Sequence, residues 1–560
     1  MRILHAVAML YSLLYNKVMA DTGMKKYTAD ELKGMDPEAT VNLVLSLQDQ
    51  VASLNESFEK LIEQLRIANQ DRFGRRSEKL DVIDGQLSIF DEVENMADPN
   101  ADEPDIEEVV TSYKRKKHKG KREEDLSGFP EEPHDHKVSA EDLDAFYGKG
   151  NWKAMPSDVY KRLRYEPASW TVEKHTVEVY VGTGGEHQDE FMRGDRPMDL
   201  IRNSIVTPSL GAGILNGKYV NAMPLYRIEQ EFERNGLVLS RQTMANWIIK
   251  FDDYFEPLWQ RMKYHLKLLP VIQADETPVL VLNNGEPTRS KCYMWVYRSG
   301  EYFQERRLIL YEYQISRDHK HPRKFLEGYN GILTTDGLQQ YHLVEREIDG
   351  LINANCWAHA RRDFADACKA IGKTNQQALK LSVAHKALEL IAAIYHEDEK
   401  LKELSTDERL AKRQVKVAPH VDAFFAWVKE RLNDGTSLPK GKAAEGLNYC
   451  INQEKQLRVF LTDGNVPIDN SAAERAIRPF CVGKKNWILI NSVKGAKASA
   501  RAYSIAETAK ANELRPYKYF EYLLKELPLR MDDMGVIDPE TLDDLMPWSE
   551  SLPEECKKRR

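Results

Sequence analysis

Three apolar stretches in the middle of the chain decide its fold: VIQADETPVLVL at residues 271–282, KCYMWVYRS at 291–299 and RRLILYEYQ at 306–314. Each is short and rich in β-branched and aromatic residues, which predicts a buried strand. A helical segment at 321–328 separates them from GILTTDG at 331–337, a fourth strand that ends in Asp336 and Gly337. Another apolar strand, LINANCW at 351–357, is followed by HARRDFADACKA, which begins a helical stretch that reaches about residue 460. The pattern predicts a mixed α/β core with a helical insertion.

The order strand, strand, strand, helix, strand is typical of a ribonuclease-H-like core. In that topology Asp275 in the first strand and Asp336 at the end of the fourth lie side by side at the C-terminal ends of neighbouring strands. Glu474, on a later helix predicted at 470–478, can complete the group. Three such carboxylates hold two divalent ions about 3.5–4 Å apart, and an all-oxygen site suits Mg²⁺ or Mn²⁺. We therefore predict Asp275, Asp336 and Glu474 as catalytic residues and metal ligands.

Each of these acids also has a purely structural interpretation. Asp275 can end a strand, and the pair Asp336-Gly337 is an ordinary turn. Ser471-Ala-Ala-Glu474 is also a capping box at a helix N-terminus. Their topological order and the basic residues that follow Glu474 favour the functional interpretation. These cations have no acidic partner nearby in the sequence and suit DNA phosphates: Arg475, Arg478, Lys484 and Lys485.

Charge is segregated along the chain, although the net charge of -8 and the pI of about 6.0 indicate no overall positive field. Residues 91–110 hold nine Asp or Glu and no Lys or Arg, whereas 114–122, KRKKHKGKR, hold seven Lys or Arg and no acid. Blocks of like charge are typical of linkers. Six cysteines without a CxxC pair predict free thiols rather than a disulfide framework.

The N-terminal part carries two patterns with two interpretations each. Residues 1–20 resemble a short signal peptide, but an upstream start or an added helix before Met24 is favoured because nothing downstream is typical of a secreted protein. Apolar residues recur at heptad spacing from Val44 to Ala68, which predicts a coiled coil that pairs protomers; a single amphipathic helix is the alternative. No stretch reaches about 18 uninterrupted apolar residues, so no membrane span is expected.

Three helices are predicted before the core, at 210–215, 224–234 and 240–251. Ser240 is a good N-cap, and the short connection at Asn235-Gly236 suits a helix-turn-helix. A DNA-reading helix would present Arg241, Gln242 and Asn246. A plain helical hairpin with polar outer residues explains the pattern equally well.

The predicted organisation is multidomain α+β. An N-terminal helix or coiled coil (1–84) and a charged linker (85–130) precede a region without cysteine (131–204). A helical, helix-turn-helix-like region (205–262) leads into the ribonuclease-H-like catalytic core (263–501). That core contains the helical insertion at about 360–460, and a helical tail (502–560) ends the chain.

Nearly the whole chain resembles the transposases of insertion-sequence family 66, a branch of the DDE transposases. The most specific matches are QADETPV at 273–279, TTDGLQQY at 334–341, NCWAHARRDFADA at 355–367 and DNSAAERAIRPFCVGKKNW at 469–487. FGRRSEKL at 73–80, the helical segment 218–247, SIAETAKANELRPYKYFEYLL at 504–524 and LMPW at 545–548 also match. The resemblance implies Asp275, Asp336 and Glu474 as the DDE triad, and the 138-residue step from Asp336 to Glu474 fits the family's helical insertion.

The chain departs from the family pattern at the usual cysteine-based zinc module. Residues 130–200 contain no cysteine, and the histidines there lack paired ligand spacing: His134, His136, His175 and His187. We therefore expect no structural zinc. His359, Arg361 and Arg362 follow the strand after Asp336, and the resemblance favours a role for them in positioning DNA or the triad over simple packing of a helix start.

The expected function is a cytoplasmic transposase that binds terminal inverted repeats, cuts them in a metal-dependent reaction and joins them to target DNA. A homodimer or higher oligomer is expected from the heptads, and the resemblance implies accessory proteins of the same element. Two alternatives remain. A related nuclease or resolvase would prefer DNA of a particular structure, such as a junction. A domesticated DNA-binding regulator would be expected to have lost part of the triad.

Overall fold

The computed structural model describes residues 170–181, 191–193, 198–285, 291–371, 376–433 and 441–558, with the single positions 34, 36, 141 and 149. The predicted coiled coil, the charged linker, the segment 73–80 and residues 1–20 lie outside the described residues, as do His134, His136 and His187. His175 is described and contacts Glu173 on the surface. The described part is a mixed α+β structure.

The strands of the described residues are β1 Val179–Val181, β2 Phe191–Arg193, β3 Val271–Val279, β4 Val281–Asn283, β5 Cys292–Ser299, β6 Ile309–Gln314, β7 Gly331–Thr335, β8 Leu351–Asn355 and β9 Ile490–Ser492. The α-helices are α1 Pro208–Leu215, α2 Leu225–Arg234, α3 Arg241–Lys267, α4 Lys320–Phe325, α5 Gln339–Glu347, α6 Trp357–Ile371, α7 Gln376–Leu381, α8 Val383–Glu399, α9 Thr406–Lys412, α10 Ala418–Asn433, α11 Lys442–Asn452, α12 Glu454–Leu457, α13 Ser471–Trp487, α14 Val493–Ala511 and α15 Pro516–Glu526. Short π-helical turns occupy Asn216–Val220 and Arg413–Val417, and 3-10 turns occupy Val459–Leu461, Leu527–Arg530, Pro539–Thr541, Asp543–Leu545 and Glu554–Cys556.

The centre of the structure is a five-stranded mixed sheet in the order β6-β5-β3-β7-β8. β3 pairs antiparallel with β5 and parallel with β7, while β7 and β8 are also parallel. The five strands predicted from the sequence are confirmed. Their bounds differ in places. The stretch 271–282 divides at Leu280, where β4 leaves the sheet to pair with β9, β6 begins at Ile309 rather than at 306, and β7 and β8 each end two residues early.

Two hydrophobic cores hold the sheet and the insertion. The first lies between the sheet, α3, α14 and the C-terminal helix α15. The second lies within the insertion, where Trp357 packs against Phe424 and Phe425. An ion pair between Arg413 and Asp398 is buried in the insertion, with an Nε–Oδ1 distance of 2.7 Å.

Two helices extend well beyond the ends that the sequence patterns indicated. Ser240 caps α3 as predicted, accepting the N–H of Thr243 at 3.1 Å, but α3 continues from the predicted end at 251 to Lys267. α13 runs through Pro479 to Trp487, where a helix ending at 478 was expected. A continuous buried face explains this extension, since Ala476, Phe480 and Gly483 all pack inward and outweigh the hydrogen bond that the proline cannot make.

All six cysteines carry free thiols, as predicted. Within the described residues, no helix has both the length and the apolar composition that crossing a membrane requires.

Candidate active site

Asp275 and Asp336 lie on neighbouring parallel strands at matching positions. The last paired residues of β3 and β7 are Gln273 and Thr334. Asp275 and Asp336 each follow two residues later, so the register brings both carboxylates to the same end of the sheet. The arrangement follows from parallel pairing, which puts the C-terminal ends of adjacent strands at one edge.

Asp275 lies in a strongly acidic environment. Its Oδ1 accepts the backbone N–H of Glu276 at 2.9 Å. Burial raises the pKa of Asp275 well above its usual range, and Glu276, Asp336 and Glu474 raise it further. No described Lys, Arg or His forms an ion pair with Asp275, so its charge is opposed by carboxylates without a compensating cation among these residues.

Asn470 fixes the helix that carries Glu474. Its fully buried side chain donates from Nδ2 to the carbonyl oxygen of Ala274 at 2.7 Å, one residue before Asp275. Its backbone N–H lies 3.1 Å from the Sγ of Cys356 at the end of β8. The Oδ1 of Asn470 accepts the side-chain amide of Gln273 at 3.4 Å instead of a backbone N–H of α13, so the helix begins without a side-chain cap. Glu474 follows one turn later and is therefore anchored to both β3 and β8.

Glu474 lies beside two basic groups from α6. Its Oε1 is 3.7 Å from His359 Nδ1 and 3.7 Å from Arg362 Nη2. Burial raises the pKa of Glu474, Arg362 and Arg478 oppose that rise, and Asp469 and Asp336 add to it. Burial and then Arg362 lower the pKa of His359 to about 4, so this imidazole is neutral at pH 7.

The turn after β7 holds Asp336 in one orientation. Asp336 Oδ1 accepts the N–H of Leu338 at 2.9 Å, and the hydroxyl of Tyr449 donates to the Asp336 carbonyl at 3.1 Å. Gly337 adopts a φ of +86°, and a Cβ there would collide with the Tyr449 hydroxyl and press on the Asn355 amide. The turn therefore requires glycine at position 337. The insertion helix α11 supports the turn through the hydrogen bond from Tyr449.

Two acids at this site were missed by the sequence reasoning. Glu276 is buried, and Arg317 Nε donates to its Oε1 at 2.8 Å while Tyr341 donates to Oε2 at 2.6 Å. Asp469 accepts the N–H of Ser471 at 2.9 Å and the hydroxyl of Tyr395 at 3.2 Å. Glu276 directly follows Asp275 in QADET, and Asp469 lies directly before the helix of Glu474 in DNSAAE. This adjacency is the only signal for the two acids in the sequence.

The basic residues of α13 divide into different environments. Arg475 was expected to have no acidic partner, but it pairs with Glu301 at 2.7 Å, a residue too distant in sequence to be anticipated. Lys484 donates to the carbonyl of Pro278 at 2.9 Å, and Arg478 lies close enough to Glu474 to affect its pKa. Lys485 is exposed and belongs to the helix itself rather than to a loop after it.

The other predicted DNA contacts lie on α3 and α6. Arg241, Gln242 and Asn246 are exposed in the first turns of α3. Arg241 lies 5.5 Å from the centre of the Tyr226 ring, and its backbone N–H donates to Glu229, which ties α3 to α2. On α6, Arg362 is about half exposed beside Glu474, whereas Arg361 is half-buried. Among the described residues no ion pair joins the α3 group to the acidic site.

As they stand, no three His, Cys, Asp or Glu side chains of the described residues are close enough together to hold a metal ion.

Comparison with known families identifies the class of protein. Residues 203–498, more than half of the chain, match the family model "Transposase IS66 family", and residues 504–548 match "IS66 C-terminal element". Residues 60–132 match "Transposase C of IS166 homeodomain". The chain belongs to the IS66 family of transposases.

Three curated relatives come from Sinorhizobium fredii (strain NBRC 101917 / NGR234). Uncharacterized protein y4jD is 25% identical over 371 residues, covering 65% of this chain and 70% of the relative. Uncharacterized proteins y4qI and y4hP are each 27% identical, covering 65% and 63% of this chain and 66% and 64% of their own lengths. The alignments thus span about two-thirds of each relative, and their names record no activity.

Proposed function

We propose that this transposase cuts the ends of a bacterial insertion sequence and joins them to target DNA, using Asp275, Asp336 and Glu474 on a ribonuclease-H-like core. The observation that carries the proposal is the register of β3 and β7, which gives Asp275 and Asp336 matching positions on adjacent strands. The strand order of the sheet and the anchoring of Glu474 through Asn470 support it.

The chemistry of the donors fits a hard divalent cation. Asp275, Asp336 and Glu474 offer only oxygen atoms, which Mg²⁺ or Mn²⁺ prefers. Burial raises the pKa of Asp275 and of Glu474, neighbouring carboxylates raise it further, and a cation would relieve this repulsion. When bound, such ions activate the attacking hydroxyl and stabilise the leaving oxygen.

The residues around the acids have distinct parts in this proposal. Asp275 and Asp336 are held by strands and by local backbone hydrogen bonds, so they form the rigid part of the site. Glu474, which lies 3.7 Å from Arg362, would complete the group by turning toward the two aspartates, and Arg362 would then be free for a DNA phosphate. His359 is neutral and partly buried beside Glu474, so it adds no positive charge there.

DNA phosphates would contact the exposed and partly exposed cations around this edge of the sheet. On α13 and α6 these are Arg475, Arg478, Lys484, Lys485, Arg361 and Arg362. End recognition is assigned to the α2–α3 pair, with Arg241, Gln242 and Asn246 at the exposed start of α3, and to the homeodomain-like segment 60–132. The proposal further includes pairing of protomers through the 44–68 heptads, and action in the cytoplasm of a bacterium.

Incubation of the purified full chain with labelled DNA carrying element ends tests the proposal, with and without Mg²⁺. Cuts that expose 3′-hydroxyls at the element boundary, only with the metal, are expected. Asp275→Ala should abolish these cuts and retain binding to the ends. Equal cleavage by Asp275→Ala would place the chemistry elsewhere, and preferential cutting of junctions over ends would favour a nuclease or resolvase.

A further inference from the structure

A cleft of about 810 Å³ lies at the β6 edge of the sheet. The outer edge of β6 forms its floor, faces of α3 and α14 form its walls, and α4 closes one end. Hydroxyls of Ser504 and Thr508 on α14 accept the outward N–H groups of Tyr311 and Ile309 at 2.8 and 3.1 Å, which fixes α14 against the strand. The cleft therefore has walls fixed to the sheet.

Basic side chains from three elements converge on this cleft. Five cations line it against two acids, Glu312 and Glu327, in a chain whose net charge is -8. We refer to the five as the basic cleft: Lys263, Lys267, Lys324, Lys497 and Arg501. Such a local excess of positive charge in an acidic protein attracts a polyanion.

Three of these cations form no ion pair with an acid of the described residues, although Glu312 is near enough to the first two to interact with them electrostatically: Lys263, Lys324 and Lys497. In contrast, Arg501 is paired with Asp252 and with Glu256, the latter at 2.8 Å, and Lys267 donates to the Glu327 carbonyl at 2.9 Å.

Lys263 is the most constrained of the unpaired lysines. Burial lowers its pKa, and Lys267 and Lys324 lower it further, against the opposing effect of Glu312. Its Nζ lies 4.3 Å from the centre of the Phe325 ring, so the aromatic face gives part of its stabilisation. An anion in the cleft would stabilise this ammonium directly.

The acid on the floor of the cleft, Glu312, cancels this charge only in part at neutral pH. Glu312 Oε2 is buried and has no hydrogen-bond partner among the described residues. Burial raises the pKa of Glu312 to about 7, so the carboxyl is readily neutralised near physiological pH.

We infer that the basic cleft binds the phosphate backbone of DNA at a place separate from the acidic site. β5 lies between β6 and the Asp275 strand, a separation of two strand spacings or about 10 Å. The pairs Lys263–Lys267 and Lys497–Arg501 are each one helical turn apart, about 6 Å along their helices, and DNA supplies closely repeated charges along its backbone. The inference rests on the proposed function for the identity of the polyanion.

Binding of a labelled duplex of unrelated sequence to the full-length protein tests the inference, measured by fluorescence anisotropy in EDTA over a range of NaCl concentrations. The variant combines Lys324→Ala with Lys497→Ala, two exposed side chains whose removal leaves the core untouched. Loss of two phosphate contacts should make the slope of log K against log salt shallower by about 1.8. If the plots of log K against log salt for the wild type and the variant meet near 1 M salt, the variant should bind DNA about 60-fold more weakly than the wild type at 0.1 M salt.

The matched control combines Lys525→Ala with Lys557→Ala. It removes the same charge from lysines that are exposed and paired with Glu521 and Glu554. The control should keep the wild-type slope, and equal slopes for cleft and control variants would overturn the inference. A second outcome would also overturn the inference. If a synthetic peptide of residues 91–110 binds the wild type but not the cleft variant, and the cleft variant binds DNA as the wild type does, the cleft is a binding site for the chain's own acidic segment.

The assay separates this inference from the proposed chemistry because EDTA prevents metal-dependent cutting. If the wild type fails to cut in Mg²⁺ while the cleft variant still loses affinity, the proposed active site is wrong and the cleft stands. If cutting occurs and the cleft variant binds normally, the cleft is wrong and the active site stands.

Discussion

Replacing Asn470 by alanine should separate the geometry of the acidic site from the stability of the fold. The Asn470 amide lies 2.7 Å from the carbonyl of Ala274, and both residues are fully buried. The β3–β7 ladder ends at Gln273, so the Ala274 carbonyl relies on Asn470 beyond that ladder. Leaving this buried acceptor unpaired should cost about 1–3 kcal/mol of unfolding free energy.

The effect on cleavage should be larger than the effect on folding. Glu474 lies one turn beyond Asn470, so loss of the anchor lets α13 shift relative to Asp275. A displacement of about 1 Å at a catalytic group can slow a reaction about 100-fold. Single-turnover cleavage of end DNA in Mg²⁺ measures the rate, and urea unfolding measures the stability.

Asn465→Ala is the matched control for this variant. Asn465 lies on the same loop and accepts the Thr406 hydroxyl at 2.9 Å, inside the insertion and away from the acids. It should lose comparable stability and keep its cleavage rate. If Asn470→Ala cleaves as fast as Asn465→Ala, the idea that Asn470 positions Glu474 is refuted.

Three further predictions concern the insertion, the Asp336 turn and the basic cleft. Asp398→Ala should cost about 3–5 kcal/mol in urea unfolding, because it leaves the fully buried Arg413 without its anion. Gly337→Ala should cost about 1–3 kcal/mol and slow cleavage, because a side chain at φ +86° is strained and collides with Tyr449. DNA affinity should fall as pH rises through about 7, because the raised pKa of Glu312 keeps this carboxyl neutral below that pH and its ionisation above it repels phosphate.

Each of these predictions has a control in the same chain. Lys400→Ala removes only a surface pair with Glu397 and should change stability by less than about 1 kcal/mol. Gly213→Ala adds a Cβ that meets nothing within 4 Å, so it should not destabilise the protein. Glu312→Gln should flatten the pH profile of DNA binding, because it removes the titrating carboxyl. In the wild type this carboxyl faces Lys263 of α3, Lys324 of α4 and Arg501 of α14. An unchanged profile in Glu312→Gln would exclude this carboxyl as the cause.

The sheet could be predicted because each strand is a short apolar run with its own local signal. The other strand ends differ from the prediction by at most three residues, but the stretch 271–282 is divided at Leu280, where β4 turns to pair with β9, a partner that lies more than 200 residues later. α13 was predicted too short for a related reason. Local helix propensity predicts that the helix ends before Pro479. The buried face that continues to Gly483 depends on how the helix packs and has no local sequence signal.

The candidate acids could be selected from sequence, but their partners could not. Asp275 and Asp336 follow from strand order, since parallel strands place their C-terminal ends together. Asn470 was passed over because its function depends on the Ala274 carbonyl, 196 residues earlier. Arg475 was judged unpaired because Glu301 is 174 residues distant in the chain. Contacts of this kind leave no periodic or local signal.

The central claim is that three carboxylates act together with a divalent metal in cutting DNA. Its most direct measurement is the Mg²⁺-dependent single-turnover rate of Asp275→Asn, Asp336→Asn and Glu474→Gln, with Asp463→Asn as a neighbouring carboxylate outside the group. Each of the three should cut at least about 1000-fold more slowly while binding end DNA normally, because several kcal/mol of transition-state stabilisation is lost. Asp463→Asn should cut at the wild-type rate. Wild-type cleavage by any one of the three would contradict the account.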